Sequence, residues 1–145
     1  MKNKKHVGSS IIFVNPQNQI LLFLRDDKPG LPYRNMWDVP GGHLESEETP
    51  KQTIAREMKE EMNLDLKDFH FLCKKEFKDR TEYTYWKEVV FKIEEIDLME
   101  GQCLKWFTRG EAAETELAYG FNEIVEEFYR NRDCLNAKFQ CKNGM

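Results

Sequence analysis

Three glutamates, Glu57, Glu60 and Glu61, stand at positions i, i+3 and i+4 of one short segment, and this spacing strongly constrains the fold. On a helix the three side chains share one face, where their repulsion costs about 0.2–0.5 kcal/mol per pair. A hard divalent cation such as Mg²⁺ removes that cost, because it binds carboxylate oxygens while keeping positions for water and phosphate. The segment therefore predicts a metal-dependent phosphate site. The alternative is a solvated helix face on which Lys51 and Lys59 partner the glutamates.

The residues around the glutamates predict a helix that begins just after Thr49. Thr49 is the expected N-cap, Pro50 takes the first helical position, and Gln52 completes a capping box with Thr49. The predicted apolar stripe consists of Ile54, Ala55, Met58 and Met62. At about 100° per residue, Glu60 lies opposite this stripe and the other two glutamates lie along one flank. The acidic side chains can therefore line a cleft at the edge of the core.

The residues before, within and just after this helix fit a longer pattern. It reads Gly, five residues, Glu, seven residues, then Arg-Glu-apolar-x-Glu-Glu-x-Gly-apolar. The matching positions are Gly42, Glu48, Arg56, Glu57, Met58, Glu60, Glu61 and Leu64. This pattern resembles the signature box of the Nudix hydrolases. Asn63 stands where the family has Gly. Because Asn also tolerates the left-handed conformation that closes a helix, we expect at most a slightly weaker cap and no change in chemistry.

The resemblance implies a role for each acidic residue of the box. Glu57 and Glu61 are the expected metal ligands, and Glu60 is either a third ligand or the general base. Gly41 is an expected carbonyl ligand, since a glycine lets the backbone approach an ion closely. The implied cofactor is Mg²⁺, with Mn²⁺ as a substitute.

Two further box residues are predicted to support the chemistry carried by Glu57 and Glu60. Arg56 cannot lose its charge and lies beside the acidic face, so its expected task is to orient or neutralise a glutamate. Glu48 is expected to fix the loop or the water shell. We therefore count Arg56 and Glu48 with the predicted catalytic residues.

A fourth carboxylate is often supplied to such a site from a loop outside the box. The candidates are Glu94, Glu95, Asp97 and Glu100. We favour Glu100 as a metal ligand, because Glu100-Gly101-Gln102 followed by Trp106 resembles the corresponding loop of MutT-type members. The alternative is one more surface acid in an acidic loop.

Five other residues are candidate substrate contacts. The turn containing Asp79 and Arg80 resembles a base-contacting turn of MutT-type enzymes, and Asn122 resembles their purine-reading asparagine, whose amide can pair with a base edge in two places. Arg25, at the end of a predicted strand, could meet phosphate. A surface or capping role is the alternative for each of these. Trp37 could stack on a base, although a Trp just ahead of Pro-Gly-Gly more often packs in the core.

The wider pattern interleaves strands with two helices. Strands are predicted at 7–14, 19–25, 69–77, 82–93 and 103–107, with a hairpin turn at 15–18, a polar loop at 26–36, a short strand within 37–42 and a turn at 78–80. A second helix is predicted over 121–131, with an apolar face of Phe121, Ile124, Val125 and Phe128. The predicted fold class is α/β, a single domain over 1–145 with a possible flexible tail at 132–145. The resemblance implies the same α/β/α sandwich with a mixed β-sheet.

Length and charge narrow the class of partner. A chain of 145 residues fits one domain, and 40% hydrophobic residues supply its core. The net charge of −4 provides no electrostatic footprint for a nucleic-acid backbone, so no nucleic-acid partner is expected. The expected partner is a small nucleotide substrate, bound by a monomer or homodimer.

The cysteines and histidines indicate no further metal site. The four cysteines, at 73, 103, 134 and 141, lack paired spacing, and no secretory leader is apparent, which favours free thiols in the cytoplasm. His6, His43 and His70 have no partner at metal-ligand spacing, so zinc is not expected. No apolar run approaches the ~18 residues of a membrane span.

Together these features predict a Mg²⁺-dependent hydrolase that cleaves a phosphoanhydride in a nucleoside diphosphate linked to another group. The favoured member of that class is a MutT-like pyrophosphatase acting on an ordinary or oxidised purine nucleoside triphosphate. The alternatives are a dinucleoside polyphosphate or nucleotide-sugar hydrolase, or a non-catalytic nucleotide-binding regulatory module.

Overall fold

A computed structural model of the protein describes residues 6–142. In that part of the chain, seven strands form one sheet: β1 (His6–Val14), β2 (Ile20–Leu24), β3 (Trp37–Asp38), β4 (Gly41–His43), β5 (His70–Glu76), β6 (Arg80–Glu88) and β7 (Cys103–Phe107). Its helices are α1 (Pro50–Met62), α2 (Arg109–Ala113) and α3 (Asn122–Lys142), with 3₁₀ turns at Ile93–Glu95 and Ala118–Gly120. None of these helices carries an apolar stretch long enough to cross a bilayer.

The sheet is mixed because its central pair is parallel and its other pairs are antiparallel. β1 and β6 run parallel along their full length, from His6 beside Arg80 to Val14 beside Glu88. The other side of β1 is divided, since β4 pairs with its first half and β2 meets it at the hairpin. β2 then pairs with β7 and β3. This division opens the sheet next to β4, where α1 begins.

Alternating residues of the central strands supply two apolar cores. Ile12 and Val14 face one side of the sheet, and Ile11 and Phe13 face the other. On the first side, Phe121 just before α3 and four residues of α3 are buried, namely Ile124, Val125, Phe128 and Tyr129. On the second side, α1 contributes Ile54, Met58 and Met62. The predicted α/β/α sandwich with a mixed sheet is therefore confirmed.

Helix α1 begins and ends where its local signals predict. The Thr49 hydroxyl accepts from the Gln52 backbone N–H and the Gln52 side chain accepts in return from the Thr49 N–H, so the capping box is complete. At the other end, Asn63 has φ 52° and ψ 38°, the left-handed conformation that Asn tolerates better than most residues. Its departure from the family's Gly leaves the helix closed.

The second half of the chain differs from its predicted boundaries. β6 begins at Arg80 and ends at Glu88, because Phe91 leaves the sheet and packs edge-on against Phe13. The five-residue helix α2 has too few residues to show a period, and it was not predicted.

Helix α3 continues to Lys142, through most of the segment predicted as a tail. An ion pair between Arg109 and Asp133 and a hydrogen bond from the Arg132 guanidinium to the Asn18 side chain help to hold its extension. Residues 143–145 of the predicted tail lie outside the described residues.

Candidate active site

A cavity of about 630 Å³ opens between α1, β4 and the edge of the sheet. One end carries acidic side chains of α1 and the loop before β7, namely Glu57, Glu60, Glu61 and Glu100. The other end carries Arg25, Asp38, Arg80, Glu82 and Tyr119. The fold therefore brings the predicted acidic ligands and two of the predicted substrate contacts to the same cavity.

Two glycines let β4 lie close to both β1 and α1. A Cβ on Gly41 would stand 2.2 Å from the Ser9 carbonyl oxygen, and Gly41 has φ +154°. A Cβ on Gly42 would stand 2.4 Å from the Glu57 carboxyl carbon. A side chain at position 41 would collide with the β1 backbone, and one at position 42 would displace the Glu57 carboxylate from its place. Gly41 itself lines the cavity, where it was predicted.

The Arg56 guanidinium joins the loop before α1 to the acidic face of the helix. Its Nε and Nη2 donate to the two oxygens of Glu48 at 2.6 and 3.0 Å, in the two-pronged geometry that arginine favours. Its Nη1 donates to Glu57 at 2.8 Å and to Glu60 at 3.2 Å, while Nη2 also reaches the His43 carbonyl. Arg56 therefore fixes the orientation of two glutamates through one rigid group.

Glu48 is saturated by donors. Besides Arg56, its carboxylate accepts from the Glu45 backbone N–H at 2.9 Å and from the Thr53 hydroxyl at 2.8 Å. The hydrogen bonds from Arg56, followed by that from Glu45, lower the pKa of Glu48 to about 2. A carboxylate so fully engaged closes the loop over the start of α1 rather than reaching into the cavity.

Glu57 and Glu61 form the electrostatic centre of the acidic end. Burial raises the pKa of Glu61 well above its ordinary value, and a hydrogen bond with Glu57 raises it further. The negative charges of Glu57, Glu100 and Asp38 act in the same direction. A buried carboxylate with three acidic neighbours occupies a place that favours positive charge.

The donor set at this end suits a hard divalent cation. All the candidate side-chain ligands are carboxylates, which Mg²⁺ and Mn²⁺ prefer, and a cation beside Glu61 would relieve the repulsion from Glu57 and Glu100. Among the described residues, no three acidic, histidine or cysteine side chains already stand in a ligating arrangement. Glu60 is 58% exposed on its side chain, so it can turn toward the cavity without unpacking the core.

Arg25 and Arg80 lie at the opposite end of the cavity, each paired with a buried acid. Arg25 donates to Asp38 at 3.1 Å, and burial raises the pKa of Asp38 to about 7 in spite of that partner. Arg80 donates to Glu82 at 2.8 Å, and burial also raises the pKa of Glu82. Both arginines are therefore held in fixed positions by their neighbours.

The structure does not bring Trp37, Asp79 or Asn122 to this cavity. Trp37 packs edge-on against Phe107 in the core on the α3 side, with ring centroids 5.0 Å apart. This is the core position expected of a Trp just ahead of Pro-Gly-Gly. The side chain of Asp79 is 66% exposed beside Arg80, on the outside of the turn.

Asn122 has its amide committed to the backbone just before α3. Its Oδ1 accepts from Leu117 N–H at 2.9 Å, and its Nδ2 donates to the carbonyls of Thr115 and Ala112. A purine-reading role would require breaking these bonds, so the observed position is that of a capping residue. Asn122 resembles the purine-reading asparagine in sequence, but in this structure its amide is bonded to the backbone and not directed to the cavity.

Asp38, Glu82 and Tyr119 line the cavity but were not predicted as site residues. The alternation Arg80-x-Glu82 could have shown two side chains on one face of a strand. Asp38 stands just before the Pro-Gly-Gly turn, which places it near the box. Tyr119 carries no comparable signal, because it reaches the cavity through a turn between α2 and α3.

Comparison with known proteins identifies the family. The NUDIX domain family model matches residues 4–129, and the chain belongs to that family. It is 34% identical over 65 residues to the 8-oxo-dGTP diphosphatase of Proteus vulgaris, covering 45% of this chain and 55% of that protein. It is 36% identical over 58 residues to the dihydroneopterin triphosphate diphosphatase of Haemophilus influenzae, covering 40% of this chain and 34% of that protein. The matches thus span about half or less of these relatives.

Solved structures show the same fold at lower identity. A mutT/nudix family protein from Listeria innocua superposes with a TM-score of 0.75 at 19% identity, covering 97% of this chain and 99% of that one. The MutT protein of Methanosarcina mazei superposes with a TM-score of 0.70 at 21% identity, covering 91% and 98%. The predicted membership of the Nudix family is confirmed, and the fold matches that of MutT-type structures.

Proposed function

We propose that this protein hydrolyses a phosphoanhydride bond in a nucleoside diphosphate linked to another group, and that it requires Mg²⁺ or Mn²⁺. The observation that carries the proposal is the meeting of Gly41, Glu57, Glu60, Glu61 and Glu100 at one end of a cavity in a Nudix chain. The cavity volume of about 630 Å³ falls within the range of small-molecule sites.

The chain's own residues divide the work in this proposal. Glu57, Glu61 and Glu100, with the Gly41 carbonyl, are the groups that would hold a cation, and Glu60 is either a further ligand or the acceptor of the proton from water. When bound, Mg²⁺ screens phosphate charge and acidifies water. Arg56 keeps the glutamates oriented through its bonds to Glu57 and Glu60. Most of the rate is expected from positioning and electrostatics.

The narrower substrate we propose is a purine nucleoside triphosphate, ordinary or oxidised, cleaved as by a MutT-like pyrophosphatase. The relatives from Proteus vulgaris and Haemophilus influenzae support it, since their names describe diphosphatases of 8-oxo-dGTP and of dihydroneopterin triphosphate. The second name makes dihydroneopterin triphosphate a further candidate. Arg25 and Arg80, at the end of the cavity away from the glutamates, are the proposed substrate contacts.

The test is product analysis in ¹⁸O-labelled water. Purified protein with Mg²⁺ is offered nucleoside triphosphates, dihydroneopterin triphosphate, dinucleoside polyphosphates and nucleotide sugars. We expect triphosphates to yield a monophosphate and pyrophosphate, with the label locating the cleaved bond. Cleavage confined to dinucleoside polyphosphates or nucleotide sugars would overturn the narrower proposal. Binding without any hydrolysis would indicate a regulatory module instead.

Location and assembly form a smaller part of the proposal. We propose a cytoplasmic protein that acts as a monomer or homodimer on small nucleotides. Among the described cysteines, Cys73, Cys103 and Cys134 are free thiols, which supports a reducing compartment. Size-exclusion chromatography with light scattering measures the oligomeric state.

A further inference from the structure

Two tyrosine rings lie against each other at the end of the cavity away from the glutamates. Tyr119, in the turn between α2 and α3, lines the cavity, and Tyr33, in the loop 26–36, packs against its ring. Their ring centroids are 4.4 Å apart with planes inclined by 49°. The contact therefore covers part of the Tyr119 ring.

The Tyr119 ring is held firmly in place. The guanidinium carbons of Arg25 and Arg80 each lie 5.2 Å from its centroid, and Arg80 also donates to the Tyr119 carbonyl at 3.0 Å. Arg80 is itself fixed between Glu82 and the Phe77 ring. Tyr119 is thus a rigid aromatic face with positive charge beside it, which suits a planar heteroaromatic ring.

Tyr33, by contrast, is an exposed side chain. It is 44% exposed and lies in a loop that contains two prolines and one glycine. Both tyrosines have left-handed backbone, with φ 53° at Tyr33 and 57° at Tyr119, which costs on the order of 1 kcal/mol for a residue of this kind. Two such positions meeting ring to ring mark a built contact between two loops rather than an incidental surface pair.

We propose that Tyr119 is the stacking platform for the base of the nucleotide, and that Tyr33 occupies this platform until the base displaces it. The inference deepens the proposed function and rests on it for the identity of the ligand as a nucleotide. A base that stacks on Tyr119 brings its edge to the Arg25–Asp38 and Arg80–Glu82 pairs, which offer both donors and acceptors. The phosphates then extend toward the glutamates of α1.

Equilibrium binding tests the platform without requiring turnover. The probes are GMP and AMP, with ribose 5-phosphate as the matched ligand that lacks a base, each titrated by calorimetry in the presence of Mg²⁺. The variants Y119N and Y33N remove each ring in turn, and Asn suits the left-handed backbone of both positions. Y119F and Y33F keep the rings and serve as controls, and thermal unfolding checks that each variant is folded.

The two variants are expected to act in opposite directions. Y119N weakens binding of GMP and AMP about tenfold, the usual size of a base–aromatic stack, and leaves ribose 5-phosphate unchanged. Y33N tightens the binding of GMP and AMP about threefold, because the contact between the Tyr33 and Tyr119 rings no longer has to be broken before the base binds. Both Phe variants bind as the wild type does.

Three results would overturn the inference. The first is a Y119N effect that is equal for GMP and ribose 5-phosphate, and the second is unchanged GMP binding in Y33N. The third is weaker GMP binding in Y33N, as a sandwich between both rings would give. Should Y119N fail to fold, the exposed position Tyr33 decides the question alone. If nucleotides show the expected pattern but none is hydrolysed, the platform stands and the hydrolase proposal fails.

Discussion

The two ends of the cavity handle charge in different ways. At the acidic end, several carboxylates gather around a single guanidinium, Arg56, and their negative charges raise the pKa of the buried Glu61. At the other end, called the aromatic end because the Tyr119 ring lies there, each guanidinium has its own acid, in the pairs Arg25–Asp38 and Arg80–Glu82. Negative charge is therefore in excess at the acidic end, whereas negative and positive charges balance at the aromatic end.

This difference indicates what each end can hold. Unbalanced carboxylates in a partly buried place favour a cation that carries more than one positive charge. Balanced pairs beside an aromatic ring favour a neutral, planar group that makes hydrogen bonds at its edge. In the proposed function, the metal-phosphate part and the base part of a nucleotide would therefore occupy separate places in one cavity.

The largest expected effect is at the acidic end. Changing Glu61→Gln removes a charged ligand candidate without changing its size, and we expect hydrolysis with Mg²⁺ to fall by at least about 100-fold. Steady-state product assays measure the loss. The matched control is Glu94→Gln, an exposed residue of the acidic loop, whose turnover should equal that of the wild type. Equal turnover in Glu61→Gln would show that the acidic end does not carry the chemistry.

The next effect concerns Asp38, which pairs with Arg25 at the aromatic end. Burial raises its pKa from 3.8 to about 7, so the folded state binds a proton more tightly than the unfolded chain. As pH rises from about 4 to 7, the wild type should lose stability relative to Asp38→Asn, on the order of 4 kcal/mol, and the difference should level off above pH 7. Urea unfolding at several pH values measures it. A constant difference across this range would mean that Arg25 compensates the burial of Asp38 in full.

A smaller effect is expected when the shape of the Arg56 group is changed while its charge is kept. Arg56→Lys cannot bond both oxygens of Glu48 and also reach Glu57, so the glutamates lose their common support. We expect turnover to fall about tenfold. The comparison variant is Arg34→Lys, on an exposed side chain of the loop 26–36. Equal turnover in Arg56→Lys and the wild type would show that the positive charge at position 56 is sufficient without the shape of the guanidinium.

The smallest effect should have the opposite pH dependence to that of Asp38. Because Arg56 lowers the pKa of Glu48 from 4.5 to about 2, the bond stabilises the fold fully above pH 4.5 and is lost as pH falls toward 2. The melting temperature of the wild type should therefore exceed that of Glu48→Gln by a constant amount above pH 5 and converge with it in acid. Convergence on the alkaline side would contradict the assignment.

The sequence predicts the acidic end far better than the aromatic end. Helix α1, its caps and the glutamates at 57, 60 and 61 all lie within one local segment, where capping and helical period act directly. Arg25 and Arg80 were also found, as isolated basic residues near turns. Asn122, Trp37 and Asp79 were predicted as contacts but lie elsewhere, because burial and backbone hydrogen bonds decide their positions.

The sequence alone determined the family, the α/β layering and the face of α1 that bears the acids, since each depends on short-range periodicity or fixed spacing. The tertiary structure decided which distant side chains meet. Asp38 from β3, Glu82 from β6, and Tyr33 and Tyr119 from two loops come together at the aromatic end through strand pairing and loop packing. Such contacts leave no period in the chain, because they depend on the whole sheet being formed.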